Sequence, residues 1–456
     1  MEATGEIIDI RKWGAVGDGI FKNTEIIQRC LDESSQKGGI VYVGGGGTYV
    51  CGTLYLPSNV TVFIGPGTRL LASPDILDYG QDTHHNRYRN EKELDRCWLY
   101  SCGTENIQIM GNGVLDGNGE AFPNEGSIYR PMMLRFLRCR NVRLSGLQLL
   151  NAAAWTTAFL DSSYIWASGL VIENEKRYNG DGLDFDGCAH VFVRDCRISG
   201  TDDNLCLQAG SREYPVEDVH ISGCSFQSLC AGIRIGLRSI GTIKNVVISN
   251  CIMKNVWREG IKIECSEGGR IANIGVENVV MEDVSRPLFV LLNNRFEPQG
   301  LGSSLELGQM PEIGVLEHIS FSNIQVADTR EMKKVHYRFG KDIMGAPWFK
   351  GIRVDAEKDH KIRDLAIRNL RYVSVGGVKR SEIPGDYPQV ADQKENRTEK
   401  ASENYYPDWS RTGFMDIRNV DGFYGEDIVL ENLDPDERPP YVIEGCKVWK
   451  EQVTVL

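Results

Sequence analysis

His190-Val-Phe-Val, Asp218-Val-His-Ile, Asn245-Val-Val-Ile and Asn273-Ile-Gly-Val are four copies of one short pattern, set 28, 27 and 28 residues apart. Each copy opens on Asn, Asp or His and continues with alternating aliphatic residues. Earlier copies stand at Asn106-Ile-Gln-Ile and Asn141-Val-Arg-Leu. Later ones, at His318-Ile-Ser-Phe, Asp364-Leu-Ala-Ile and Asp427-Ile-Val-Leu, lie further apart, as insertions would place them. A unit of this length holds about three short strands of period-two alternation and no convincing helix. Alone it cannot bury its apolar side, so units must stack and share one core. Short strands with polar turns at this period predict an all-β fold, a single-stranded right-handed parallel β-helix. A sandwich or a propeller is the competing reading, but propeller blades need about 40 residues or more.

One helix is expected before the first coil. Asn23 reads as its N-cap, Ile26, Ile27, Cys30 and Leu31 recur at helical spacing, and Lys37-Gly38-Gly39 stops it. It would cover the open end of the sheet, which needs protection. The expected organisation is one β-helix domain over residues 1–456. Within it lie an N-terminal cap over about 1–40, an irregular charged insertion over about 330–410, and terminal strands over about 411–456.

Bulk composition narrows the partners. The chain is 41% hydrophobic and 25% charged, with a formal net charge of −12. Phosphate recognition needs a basic face, so no nucleic-acid partner is expected. No apolar run reaches membrane-spanning length, so no membrane partner is expected either. An acidic carbohydrate is compatible, because a locally basic cleft can sit on a globally acidic protein. The thirteen cysteines are odd in number and include no CxxC pair. Neither a disulfide framework nor a zinc site is indicated, and no metal or cofactor is called for. Met1 to Ile10 carry two glutamates and no apolar core, unlike a secretory leader. Cytoplasmic residence is therefore expected, with secretion the alternative if a leader has been removed. Nothing in the sequence speaks to oligomeric state.

Stacking sets which side chains become neighbours, about 4.8 Å apart from coil to coil. The aliphatic pairs Leu183/Phe185, Leu205/Leu207, Ile233/Ile235 and Ile261/Ile263 give the register, and the residue between each pair must face outward. One outward column is then Asp184, Cys206, Arg234 and Lys262. A second, two residues before each pair, is Asp181, Asp203, Ala231 and Glu259, with Asp202 at the bend. Asp181, Asp202 and Asp203 are expected to converge, with two basic side chains just beyond. Cleavage of a glycosidic bond asks for such a set, one carboxylic acid to protonate the leaving oxygen and a carboxylate to activate water. Mutual repulsion between the carboxylates is expected to keep the acid protonated. A diagonal across two coils fits the longer separation of an inverting mechanism. Turn chemistry is the plainer account of any single Asp-Gly.

The same residues resemble glycoside hydrolase family 28, the polygalacturonase and rhamnogalacturonase family, from about Ile10 to Ser285. Gly17-Asp18-Gly19 with Asn23-Thr24, Gly47-Thr-Tyr-Val, Leu54-Tyr-Leu-Pro-Ser-Asn-Val-Thr and Gly111-Asn-Gly-Val-Leu-Asp-Gly follow in the family's order. Asn179-Gly-Asp-Gly-Leu-Asp and Thr201-Asp-Asp-Asn-Leu-Cys-Leu are similar to its Asn-Thr-Asp-Gly and Gly-Asp-Asp segments. The resemblance implies a metal-free inverting hydrolase of a pectic or other uronic-acid-containing chain. Asp203 would be the general acid, and Asp181 and Asp202 would hold and activate water. Two motifs depart from the family. Its Gly-His-Gly falls on Cys230-Ala231-Gly232, and its Arg-Ile-Lys on Gly260-Ile261-Lys262. Lost support for the acid and lost grip on galacturonate point away from ordinary polygalacturonase activity, and since rhamnogalacturonan hydrolases also differ at the histidine position, the resemblance leaves a rhamnogalacturonan-type or other variant substrate.

Arg234, Arg258 and Lys262 are candidates to replace the missing cation, with a structural salt bridge from Arg234 to Asp184 or Glu264 as the plainer reading. Tyr178, Tyr214 and Trp257 are candidates to stack on sugar faces or, equally, to pack. His84 and His85, in the polar loop Gln81 to Arg89, would close a cleft end and favour exo action, or else form solvated surface. Two other functions stay open. A calcium-dependent lyase would use Asp181, Asp184 and Asp202 for the ion and Arg234 or Lys262 as base. A non-catalytic carbohydrate-binding β-helix would bind without turnover.

Overall fold

The computed structural model describes residues 6–83, 96–123, 130–294, 312–330, 335–337, 341–344, 351–357, 359–382 and 410–456. Its elements are almost all short parallel strands, in two compact units, one ending at Asp202 and the other beginning at Asp203. The fold class is the right-handed parallel β-helix that the repeat predicts.

What the repeat encodes is a backbone conformation. Asn106, Asn141, His190, Asp218, Asn245, Asn273, His318, Asp364 and Asp427 all have φ between 51° and 58°, in the left-handed region. That region costs most L-residues roughly 1–2 kcal/mol, and short polar side chains tolerate it best. The left-handed residue turns the chain into the next strand, and the aliphatic residues after it alternate inward. Val219, Ile221, Val246, Ile248, Ile274 and Val276 are all at most 1% exposed. Neighbouring corners are tied by side chains: Asn273 donates to Asn245 and Asn245 to Asp218, each at 3.1 Å.

In the first unit the strands form three parallel stacks. One runs through Cys97–Cys102, Met132–Leu137, Thr157–Leu160 and Leu183–Asp186. The second contains Glu105–Gly111, Arg140–Ser145, Ser163–Ser168 and Ala189–Arg194. The third contains Val114–Asp116, Gln148–Leu150, Val171–Asn174 and Arg197–Gly200. Phe136, Phe159 and Phe185 fill the core in register, with ring centroids 5.0 Å apart at each step.

The helix spans Thr24–Lys37, buries Ile27, Cys30, Leu31 and Ser34, and ends at Gly38 with φ 62°. Asn23 precedes it but makes no capping bond. Its side chain instead accepts from Val16 N at 2.8 Å and donates to Phe21 O at 2.8 Å, locking the preceding turn. Being fully buried, it serves the loop rather than the helix end.

In the second unit, Leu205–Ala209, Ile233–Ser239, the end of Thr242–Cys265, the end of Arg270–Leu292, Ile352–Ala356 and Met415–Arg418 stack in parallel. The stretch expected as an irregular insertion thus contains a regular coil. Ile352–Ala356 and Ile362–Gly376 pair with strands on both sides. Arg363, Arg368 and Arg371 make this stretch look charged, but they point outward while Leu365, Ile367, Leu370 and Tyr372 are buried between them.

All thirteen cysteines are unbridged and most are buried. Burial pushes Cys51, Cys97, Cys251 and Cys265 up to about 12, the behaviour of core thiols. Among the described residues no helix is long and apolar enough to cross a membrane.

Candidate active site

The Asn179-Gly-Asp turn of the first unit is built by backbone demands. Asn179 is left-handed at φ 55°. A Cβ on Gly180 would lie 2.3 Å from Asn174 O, so only glycine fits. Buried Arg130 clamps the turn, donating to Tyr178 O at 2.5 Å and Asn179 Oδ1 at 2.9 Å. Gly180 N donates to Thr201 Oγ1 at 3.0 Å, linking this turn to the bend that carries Asp202. Thr156 donates from N and from Oγ1 to the Asp181 carbonyl, at 3.0 and 2.6 Å. These contacts account for Asn179 and Gly180 and use only the backbone of Asp181. Asp181, Asp184 and Asp202 are 5%, 4% and 6% exposed. Asp184 sits mid-strand beside Ala158. The guanidinium of Arg130 lies 5.6 Å from the Tyr178 ring, so one face of this candidate stacking residue is engaged.

The second unit carries the basic half of the expected site, in the expected register. Cys206 pairs with Arg234 and Arg234 with Lys262 along one column. The other column is also present: Asn204 N donates to Ala231 O at 3.0 Å, and Gly232 N to Glu259 O at 2.9 Å. Asp203 stands where the columns meet, 1% exposed. Its Oδ2 accepts from Arg234 Nη1 at 2.7 Å and its Oδ1 from Ala231 N at 3.2 Å. At the position of the family's missing histidine, a backbone N–H therefore reaches the carboxylate.

Electrostatics here differ from the expectation of a protonated acid. Burial alone would push the Asp203 carboxyl up, but Arg234 and Lys262 outweigh it and hold it below the usual range. The Asp203 carboxylate is answered by cations from the neighbouring column. Arg234 also approaches Glu264, Nε to Oε2 at 3.6 Å, so part of the plainer salt-bridge reading is realised alongside its pairing with Asp203.

Glu259 is the residue that sequence reasoning placed in a column without a role. It is fully buried and faces Arg258 at 3.5 Å, Lys262 at 3.6 Å and Arg286 at 3.9 Å. Burial raises its carboxyl, and these three cations bring it below its ordinary value. Lys262 Nζ is also 3.4 Å from Glu264 Oε2 and 5.7 Å from the Phe289 ring. Glu264 follows Lys262 by two and so shares its face, a signal available from alternation. Arg286 was harder to find, because a register shift between Val256 and Glu259 breaks the count. Trp257 is 7% exposed and Tyr214 half-buried. His84 and His85 lie outside the described residues.

Asp203, Arg234, Arg258 and Lys262 are thus brought together in the second unit, while Asp181, Asp184, Asp202 and Tyr178 belong to the first. Asp181, Asp184 and Asp202, the residues a calcium-dependent lyase would use for the ion, all belong to the first unit, and a divalent ion at Asp203 would meet the Arg234 guanidinium already in place. Arg234 faces two carboxylates, Asp203 and Glu264, that hold its proton, a poor setting for a base.

A model of the glycosyl hydrolases family 28 matches residues 76–335. A probable polygalacturonase of Arabidopsis thaliana is 26% identical over 276 residues, 58% of this chain and 55% of that protein. The chain therefore spans about half the length of that curated relative. Among solved structures, an exopolygalacturonase of Thermotoga maritima superimposes with a TM-score of 0.66 at 20% identity, over 81% of this chain and 87% of the other. A family 28 exopolygalacturonase of Yersinia enterocolitica gives 0.65 at 18% identity, over 99% and 78%.

Proposed function

The chain belongs to glycosyl hydrolases family 28, and from that premise we propose that it is an inverting hydrolase of uronic-acid-containing pectic oligosaccharides. The carrying observation is Asp203, a buried carboxylate paired with Arg234 in a column that continues to Lys262. In this reading Asp203 delivers a proton to the glycosidic oxygen as the C–O bond breaks. Asp181 and Asp202 hold water and take its proton as it attacks the opposite face of the sugar. Arg234 and Lys262 receive the uronate carboxylate, because cations that share their charge among carboxylates can exchange one for another of the same kind. Ala231 in the histidine position, with Gly260 in the arginine position, favours a substrate other than plain homogalacturonan. The polygalacturonase and exopolygalacturonase names of similar proteins support the pectic class.

The test is product analysis by NMR on homogalacturonan and rhamnogalacturonan fragments, with wild type and Asp203→Asn. The expected result is new reducing ends of inverted configuration, absent in the variant; release of single terminal sugars would establish exo action. Unsaturated products lost on chelation would move the case to a lyase. Binding without cleavage, unchanged in Asp203→Asn, would leave a carbohydrate-binding protein.

A further inference from the structure

A general acid must carry a proton when the substrate is bound, yet in the free protein Asp203 is paired as a carboxylate with Arg234. The two facts are reconciled if the partner can leave. In the trio of Asp203, Arg234 and Glu264, both carboxylates have side chains 2% exposed, whereas Arg234 is 18% exposed. The guanidinium is the member that an incoming anion meets. Its hold on Glu264 is the longer, 3.6 Å against 2.7 Å to Asp203. Three carboxylates (Asp203, Glu259, Glu264) stand among four cations (Arg234, Arg258, Lys262, Arg286).

We propose that Arg234 is a charge-operated interlock on Asp203, a positioning and specificity residue that an arriving uronate carboxylate draws away so that Asp203 takes up the proton it will deliver. This rests on the reading of Asp203 as the acid. The proton comes from solvent as the anion enters, passes to the glycosidic oxygen as the C–O bond breaks, and leaves Asp203 ionised to pair again with Arg234 when product departs. Lys262, Cys230 and Glu259 also face Asp203, while Glu264 and Cys206 face Arg234. Only Arg234 both touches Asp203 and reaches solvent among these. A neutral or methyl-esterified sugar offers nothing to draw the guanidinium off, so selectivity for the acid form would arise in kcat as well as in KM.

The experiment is a carboxyl 13C NMR titration of Asp203, assigned with Asp203→Asn, in the free protein and saturated with digalacturonate or its methyl ester. The expected outcome is an upward shift of about one pH unit or more with the acid and none with the ester. In Arg234→Gln the ligand-free value is expected to be raised already, with little further change. Arg234→Lys, which keeps the charge, serves if the glutamine variant does not fold, and is expected to retain part of the shift. An unchanged Asp203 under saturating digalacturonate, equal shifts with acid and ester, or no binding of digalacturonate would each overturn the interlock. Wild type that shows the shift but cleaves no pectic fragment would instead overturn the hydrolase reading and leave the interlock standing.

Discussion

Two edges of the same coils in the second unit solve the stacking problem in opposite ways. At one corner Asp218, Asn245 and Asn273 repeat nearly the same short polar side chain, joined to one another by side-chain hydrogen bonds. On the other edge Asp203, Arg234, Glu259 and Lys262 change chemistry at every coil, and all but Arg234 are buried. Repetition marks the corner where the backbone makes the same demand in each coil. Variation marks the edge where the backbone is indifferent and the charges must satisfy one another. A bland repeat and an unrepeated charge cluster therefore carry different information, architecture in the first and chemistry in the second.

The largest expected contrast is functional. Asp203→Asn should lower kcat on a pectic oligosaccharide by about 10²–10⁴-fold, while Asn245→Ala, on the opposite edge, should leave kcat within a factor of about two. Equal losses at both sites, measured by steady-state kinetics, would erase the distinction between them.

Next in size is stability. Glu259→Gln leaves Arg258, Lys262 and Arg286 without their shared buried counter-charge, and removal of one partner from such a set costs about 3–5 kcal/mol. Urea unfolding measures it, and an unchanged midpoint would mean that water reaches these side chains.

The pH dependence follows from the same groups. Asp203 and Glu259 both have folded values below their ordinary ones. Their stabilisation is therefore complete above the ordinary carboxylate range, about pH 4, and is lost as pH falls through the lowered folded values. Melting temperature should drop on the acid side below about pH 4, with a shallower slope in Glu259→Gln. A slope identical in the variant would assign the acid sensitivity to other carboxylates.

The smallest effect sharpens the corner. Asn245→Ala should cost about 1–2 kcal/mol, from left-handed strain and two lost surface hydrogen bonds, and Asn245→Gly less, because glycine removes the strain. Equal costs in thermal unfolding would make the ladder of side chains, rather than the backbone, the reason for the repeat.

Much of this was legible beforehand. The 27–28-residue spacing led to the coil. The pairs Leu205/Leu207, Ile233/Ile235 and Ile261/Ile263 led to a register that the strands reproduce residue by residue. Other readings held only in part, for local reasons. Asn23 has a capping residue's identity but spends its amide on the loop before the helix. The coil at Ile352–Ala356 and Ile362–Gly376 was legible only in part: Asp364-Leu-Ala-Ile carries the repeat, while outward arginines give the stretch the charged composition of an insertion, since composition averages both faces of a strand.

Sequence by itself determined the fold class, the corner residues and the order of side chains along each outward column, because period and alternation are local properties that stacking only repeats. Tertiary structure decided which charges pair. That Arg234 holds Asp203 and Glu264, and that Glu259 collects Arg258, Lys262 and Arg286, depends on side-chain reach and on a register shift between coils. A buried charge takes whichever partner lies within a few ångströms, and that distance is set by packing across coils rather than by spacing along the chain.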